Sequence, residues 1–223
     1  MNDDFLGIPQ QYVKSPQKPK NKAAEDYLAY LNKLADVIDQ NYHIFKNNYA
    51  LEVPEDNERP KAKKLIFRQE AELISAEQDY FKLTGKEFKT QWQKQVDEFN
   101  NLLPFLKRIT YQQQAFWPSL NYLYVFEDEN VIELTHSSLE MDKYHVQNVF
   151  NKTDLIRKLG TFNIGHWDTE NNLPELIMIE DGTSWTMTFE FAKGKKYIKK
   201  SFSGYMSWPL NFDDLADSLK IDF

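Results

Sequence analysis

Residues 181–212 read DGTSWTMTFEFAKGKKYIKKSFSGYMSWPLNF, and the fold of the C-terminal half turns on them. Asp181-Gly182 tolerates the positive φ angles of a type I′ turn, so LIMIE at 176–180 and TSWTMTFEF at 183–191 are predicted to pair as a hairpin. Trp185, Met187, Phe189 and Phe191 share one face of the second strand, and Thr186, Thr188 and Glu190 share the other. This period of two marks a strand with one face in the core and one in solvent. Lys193 to Lys196 make the next turn, and YIKKSF at 197–202 returns as an edge strand guarded by lysines. Trp208-Pro209 plugs the end of the sheet, and Asn211 is expected to cap a closing helix, Phe212 to Leu219. Asp213 and Asp214 in its first turn oppose the positive helix end.

Upstream of this stretch, NYLYVF at 121–126 and VIELTH at 131–136 flank the polar loop EDEN, a second hairpin. KTDLIRKLGTF at 152–162 spells a short helix, capped by Asn151 or Thr153 and halted by Gly160. Residues 137–150 fit neither period. Before Trp117-Pro118 the pattern changes to steps of three and four. Tyr27, Leu31, Leu34, Ile38, Tyr42 and Phe45 predict a helix over about 22–48. Leu65, Ile66, Leu73, Ile74, Tyr80 and Phe81 predict a second from about 60 to 83, facing inward. Phe88, Trp92, Val96, Phe99 and Leu103 predict a third from near Lys86, with Phe105 to Gln114 as a further helical piece beyond Pro104. Residues 1–21, with Pro9, Pro16 and Pro19, read as a flexible tail or a short docking peptide for the body of the chain or for a partner.

The expected architecture is therefore α+β. An N-terminal antiparallel helical bundle or hairpin of about three helices over 22–116 precedes a small antiparallel β-sheet with two short helices over 117–223. The order of Leu159, Ile164-Gly165-His166-Trp167, Asp181-Gly182-Thr183-x-Trp185, Ser203-Gly204 and Trp208-Pro209-x-Asn211-Phe212 resembles a module of uncharacterised bacterial proteins. Relatives carry Asn-Ala-Tyr-Pro near the segment Tyr205 to Pro209. The resemblance leaves 1–150 uncovered and implies no activity.

Composition narrows the classes further. The net charge is -7, and all of the deficit lies in residues 118–223, with 10 Lys+Arg against 17 Asp+Glu. An acidic surface repels phosphate, which disfavours duplex nucleic acid and favours a basic protein partner. Cysteine is absent, so disulfides, thiolate zinc sites and a thiol nucleophile are excluded. The first twenty residues lack the apolar run of a signal peptide, and no stretch approaches a membrane span, so a cytoplasmic location without membrane association is expected.

No catalytic signature is present, and no cofactor is implied. His166 and Asp168, two apart, could offer a ligand pair that His136 or His145 would complete as a three-ligand metal site for a hydrolase. A histidine beside Trp167 more commonly bonds locally at a strand end. Glu127, Asp128 and Glu129 are a solvated hairpin tip or a contact for a basic partner. Lys193, Lys195, Lys196, Lys199 and Lys200, with Tyr197 among them, suggest single-stranded nucleic-acid binding, against the plainer role of protecting an edge. The reading the sequence favours is a non-enzymatic interaction protein of a bacterial cell, immunity-like or regulatory. It would act through the acidic half and the amphipathic helices, which could also pair in a homodimer.

Overall fold

The computed structural model describes residues 11–20, 23–50, 58–114, 119–137, 145–172 and 182–221, excluding the side chains of 47–50, 58, 59, 136 and 137. The chain divides into two compact units, residues 1–94 and 95–223. The LIMIE segment and Asp181 lie outside the described residues, but the hairpin predicted to join them to the strand at 184–193 needs correction, because that strand pairs along one side with residues 106–114 and along the other with 196–205.

In the first unit α1 (Ala24–Ala50) and α2 (Glu58–Thr84) pack against each other. α1 buries Tyr27, Leu31, Leu34, Ile38 and Phe45, and α2 buries Ala62, Ile66, Leu73, Ala76 and Tyr80, the spacing of one helical face. The expectation for α2 needs correction at two positions. Ile74 and Phe81 are 50% and 52% exposed and align with exposed Phe67 at seven-residue steps, one position round from the buried row. Polar residues enter the seam in their place: Asn41 and Gln69 are fully buried.

Those two carboxamides hold residues of the tail. Val13 N donates to Asn41 Oδ1 at 2.7 Å, and Val13 O accepts from Asn41 Nδ2 at 2.8 Å and Gln69 Nε2 at 3.0 Å. A further bond, Asn41 Nδ2 to Gln69 Oε1 at 2.8 Å, ties the two helices together. The stretch 11–20 is thus a docked segment.

α3 (Gln91–Asn100) starts later than its apolar spacing predicts. Thr90 and Gln93 form a capping box there, Thr90 N donating to Gln93 Oε1 and Gln93 N to Thr90 Oγ1, which fixes the start at the first turn after Thr90. Residues 106–114 are extended, not helical. After a 3-10 turn at Leu103–Phe105 the chain enters β1 (Leu106–Gln114), which pairs with β2 on one side and β6 on the other.

The second unit is built on a seven-stranded sheet, larger than expected, in the order β4-β3-β2-β1-β6-β7-β5 among the described residues. Its strands are β1, β2 (Leu120–Phe126), β3 (Asn130–Ser137), β4 (His145–Asn151), β5 (Glu170–Asn172), β6 (Ser184–Lys193) and β7 (Lys196–Tyr205). Every pairing is antiparallel except β5 with β7. The α+β class and both hairpins, β2–β3 about EDEN and β6–β7 about the lysine turn, are as the sequence reads.

One sheet face is the core. Ile109, Tyr111, Tyr122, Tyr124, Val131, Trp185, Met187, Phe189 and Phe191 are buried there with Phe99 of α3, Leu155 and Leu159 of α4 (Lys152–Leu159), and Phe212, Leu215 and Leu219 of α5 (Phe212–Leu219). Phe99 meets Phe189 edge-on at 5.2 Å between ring centroids, a favoured aromatic geometry. α4 begins at Asn151, whose side chain accepts from Asp154 N. Gly165 lets the turn at Ile164–His166 approach α3, because a Cβ there would lie 2.7 Å from Val96 Cα.

The cap expected of Asn211 is absent. Its side chain makes no bond to the helix; it accepts from Trp167 Nε1 at 3.0 Å and donates to Phe162 O. Trp185 Nε1 donates to Ser207 O at 2.8 Å, and Gly204 leaves room for that indole. Among the described residues, Trp167, Trp185, Gly165, Gly204 and Asn211 are in this way accounted for by packing and hydrogen bonding.

Candidate interaction site

The core face uses one side of the sheet, and the other side differs between its halves. Across β1, β6 and β7 the outer face carries Gln112, Thr186, Thr188, Glu190, Lys199 and Ser201, polar residues of a wetted surface, with Thr188 and Ser201 hydroxyls 3.0 Å apart. Across β2, β3 and β4 it is aliphatic. Leu123 lies opposite Leu134 and Val125 opposite Ile132; Leu134 in turn faces Val146 and Ile132 faces Val149. Directly paired residues share a face, so these six side chains form two rows of three.

The rows run out to β4, where Val146 and Val149 are 63% and 62% exposed. β4 ends the sheet order among the described residues. Its sequence, HVQNVFN, holds no lysine, no proline and no charged side chain. Edge strands with an open hydrogen-bonding side are ordinarily blunted by such residues. At the opposite end of the sheet the short β5 covers only Ser203–Tyr205 of β7, and the stretch of β7 it leaves unpaired among the described residues carries Lys196, Lys199 and Lys200, with Lys193 and Lys195 beside the turn before it. One edge is guarded and the other is bare.

A bulge shapes the bare edge. Pairing shifts between Glu133/Asn148 and Leu134/Val146, so Gln147 is the extra residue and the two valines, three apart in sequence, both face outward. Beneath β4 the buried Glu133 carboxylate accepts from Asn148 Nδ2 at 2.8 Å, and Asn148 Oδ1 accepts from Lys220 Nζ at 2.7 Å. These bonds hold β4 against the closing turn after α5.

Glu127, Asp128 and Glu129 are exposed at the β2–β3 tip. Asn130 pairs with Asn151, which puts this acidic tip beside the C-terminal end of β4. Lys152 donates from Nζ to Glu127 O and from its backbone to Glu129 O, binding two of the tip's backbone carbonyls.

The lysines of the β6–β7 hairpin do not converge. Lys199 lies opposite Glu190 on the outer face, whereas Lys200 lies opposite Phe189 on the core side. Lys193 Nζ stands over the Phe105 ring at 4.9 Å. Tyr197 is exposed, and its hydrogen bond to the Glu190 carboxylate, followed by burial and the charge of that group, raises its pKa above the ordinary tyrosine value.

His166 ends the turn at Ile164–His166, half-buried, its backbone N–H donating to Asn163 O. Asp168 is exposed, and its carbonyl accepts from Asn171 Nδ2. His136 lies in β3 opposite Asn121, and His145 is the exposed first residue of β4. Among the described residues no three His, Asp or Glu side chains are grouped to hold a metal ion.

The aliphatic face was not singled out from sequence, although a signal was there. In NYLYVF the residues between Tyr122, Tyr124 and Phe126 are Leu and Val, so both faces of that strand are apolar. In TSWTMTFEF the intervening residues are Thr and Glu. A strand apolar on both faces needs cover on both. No helix of the described residues is long and apolar enough to cross a membrane. Comparison with protein-family models, with curated proteins and with solved structures finds no match to this chain.

Proposed function

We propose that the protein is a non-enzymatic interaction protein whose docking surface is the β4 edge with the aliphatic face of β2–β4, and that its occupant is an extended strand of a protein partner. The observation that carries this is the contrast between the two ends of the sheet: the part of β7 left unpaired by the short β5 bears lysines, and the end strand β4 bears exposed Val146 and Val149 with no Lys, Arg, Asp or Glu. A strand added to β4 would satisfy its outward backbone groups and cover the valines. Backbone bonds supply affinity in this mode, and alternate side chains supply specificity.

Charge complementarity sets the partner's chemistry. Residues 118–223 carry a net negative charge, and Glu127, Asp128 and Glu129 stand at one end of the edge. The matching strand has alternating branched aliphatics and a basic residue where it passes the tip. Opposite charge steers the encounter, and burial of the aliphatic rows holds the complex.

The test uses a fluorescent strand peptide with alternating valine and threonine between lysines, titrated against the full chain. Saturable binding that weakens about tenfold or more in Val149→Lys, with an unchanged circular dichroism spectrum, is expected, a loss of about 1.4 kcal/mol. Binding of equal strength in Val149→Lys and in Lys199→Glu would overturn the assignment to β4. Concentration-dependent dimerisation abolished by Val149→Lys would make the occupant a second copy instead.

A further inference from the structure

The docked segment of the first unit carries a separate inference. A pair of fully buried carboxamides in a seam otherwise made of Leu31, Leu34, Ile38, Ile66 and Leu73 is unfavourable unless each polar atom is bonded. Asn41 and Gln69 find those partners on the backbone of one residue: both the N–H and the C=O of Val13 are held, the carbonyl twice. A side-chain amide that pairs with both backbone groups of one extended residue reads the backbone and is indifferent to the side chain.

A second fixed point lies five residues on. Lys18 Nζ bonds Asp79 Oδ2 at 2.8 Å and stands over the Tyr27 ring at 5.8 Å. From Gln69 to Asp79 is ten residues of helix, about 15 Å at the helical rise. From Val13 to Lys18 is five residues of extended chain, about 16 Å. The two lengths match, so the segment runs extended and parallel to α2 between its anchors. Pro16 and Pro19 favour that conformation and disfavour helix in the residues before them. The cis occupant is also imperfect, because the buried Ser15 Oγ finds no hydrogen-bond partner among the described residues.

We infer that the α1–α2 groove is a binding site for extended, proline-containing peptides with a lysine five residues after the clasped residue, and that residues 11–20 occupy it as an exchangeable ligand. The trans ligand is such a segment of a partner protein. Asn41 and Gln69 hold its backbone, Asp79 and Tyr27 receive its lysine, and the chain's own segment competes for the same groups. A short tether holds the competitor at an effective concentration on the order of millimolar, which lowers the apparent affinity for a trans peptide by the occupied fraction.

The experiment uses the full chain and a labelled probe peptide of residues 11–20, read by fluorescence anisotropy. Val13→Pro in the chain deletes the donor of the tethered segment and leaves the groove intact. The probe is then expected to bind about tenfold or more tighter than to the parent chain. A probe carrying proline at the Val13 position, or glutamate at the Lys18 position, is expected to bind this variant at least several-fold more weakly than the parent probe, a comparison that does not depend on how the chain variant folds. Lys18→Glu in the chain provides a second route to an emptied groove and is expected to act in the same direction. Equal binding of the parent and proline probes, or no gain in either chain variant with helix content retained, would overturn the inference.

Discussion

Single side chains in this protein carry loads that their residue types do not announce. Asn211 occupies the position of a helix cap yet bonds Trp167 Nε1 and Phe162 O, joining the turn before β5 to the start of α5. Asn211→Leu would leave a buried indole N–H and a carbonyl without partners, at about 1–3 kcal/mol each. Urea unfolding is expected to show a loss of about 2–4 kcal/mol, whereas a surface cap would cost about 1. Glu77 in the first unit accepts from Gln93 Nε2, and burial, only partly offset by that bond and by the charge of Lys89, raises its pKa. A carboxyl with a raised folded pKa contributes stability below its unfolded pKa and loses it as the pH rises through the folded value. Glu77→Gln keeps a bonding group toward Gln93 and removes the charge. It should therefore flatten the fall in stability as the pH rises above the ordinary glutamate value of about 4.3, measured by urea midpoints over a pH series. Ser15→Ala removes the buried hydroxyl that lacks a partner among the described residues, and hydrogen exchange at the Val13 amide is expected to slow by a factor corresponding to about 1 kcal/mol. Such roles are illegible in sequence because they depend on which distant carbonyl or indole arrives beside the side chain.

At the scale of elements, regular periods were legible and interrupted ones were not. α1, α2, α4, the β2–β3 hairpin and β6 follow uninterrupted periods, and the sequence reading places each within a few residues. β1 and β4 each contain a register shift. In β1 the bulge between Leu106 and Arg108 brings Leu106 and Ile109, three apart, to the same core face, a spacing that reads as helix. In β4 the same device puts Val146 and Val149 on the outer face, so 137–150 fits no period. The start of α3 had a local signal of another kind, the Thr90-to-Gln93 capping box, which apolar spacing overlooks. Gly204→Ala tests the close approach of β5 and of the bend after β7: a Cβ there would lie 2.6 Å from Ser207 O and 2.7 Å from Asn171 O. These are backbone atoms that move only with the chain around them, so a loss of about 2 kcal/mol or more is expected in thermal or urea unfolding.

At the scale of the whole molecule, the proposed association rests on the distribution of charge and of exposed apolar residues. The acidic half contains the aliphatic strip, and among the described residues the end strand β4 carries no guarding charge. In the first unit Asn41 and Gln69 hold the backbone of Val13. The α+β order and the acidic bias were legible in the sequence. The aliphatic face was not, because the pairing of residues 123, 125, 132, 134, 146 and 149 into two rows exists only once the register of three strands is known. The central claim concerns β4, and native-state hydrogen exchange tests it most directly. The account predicts that the β4 amides not bonded to β3 exchange rapidly in the free chain and are protected when the valine-threonine strand peptide is added, with β7 unchanged. Protection of those amides in the free monomer, or protection by the peptide at β7 and not at β4, would contradict it.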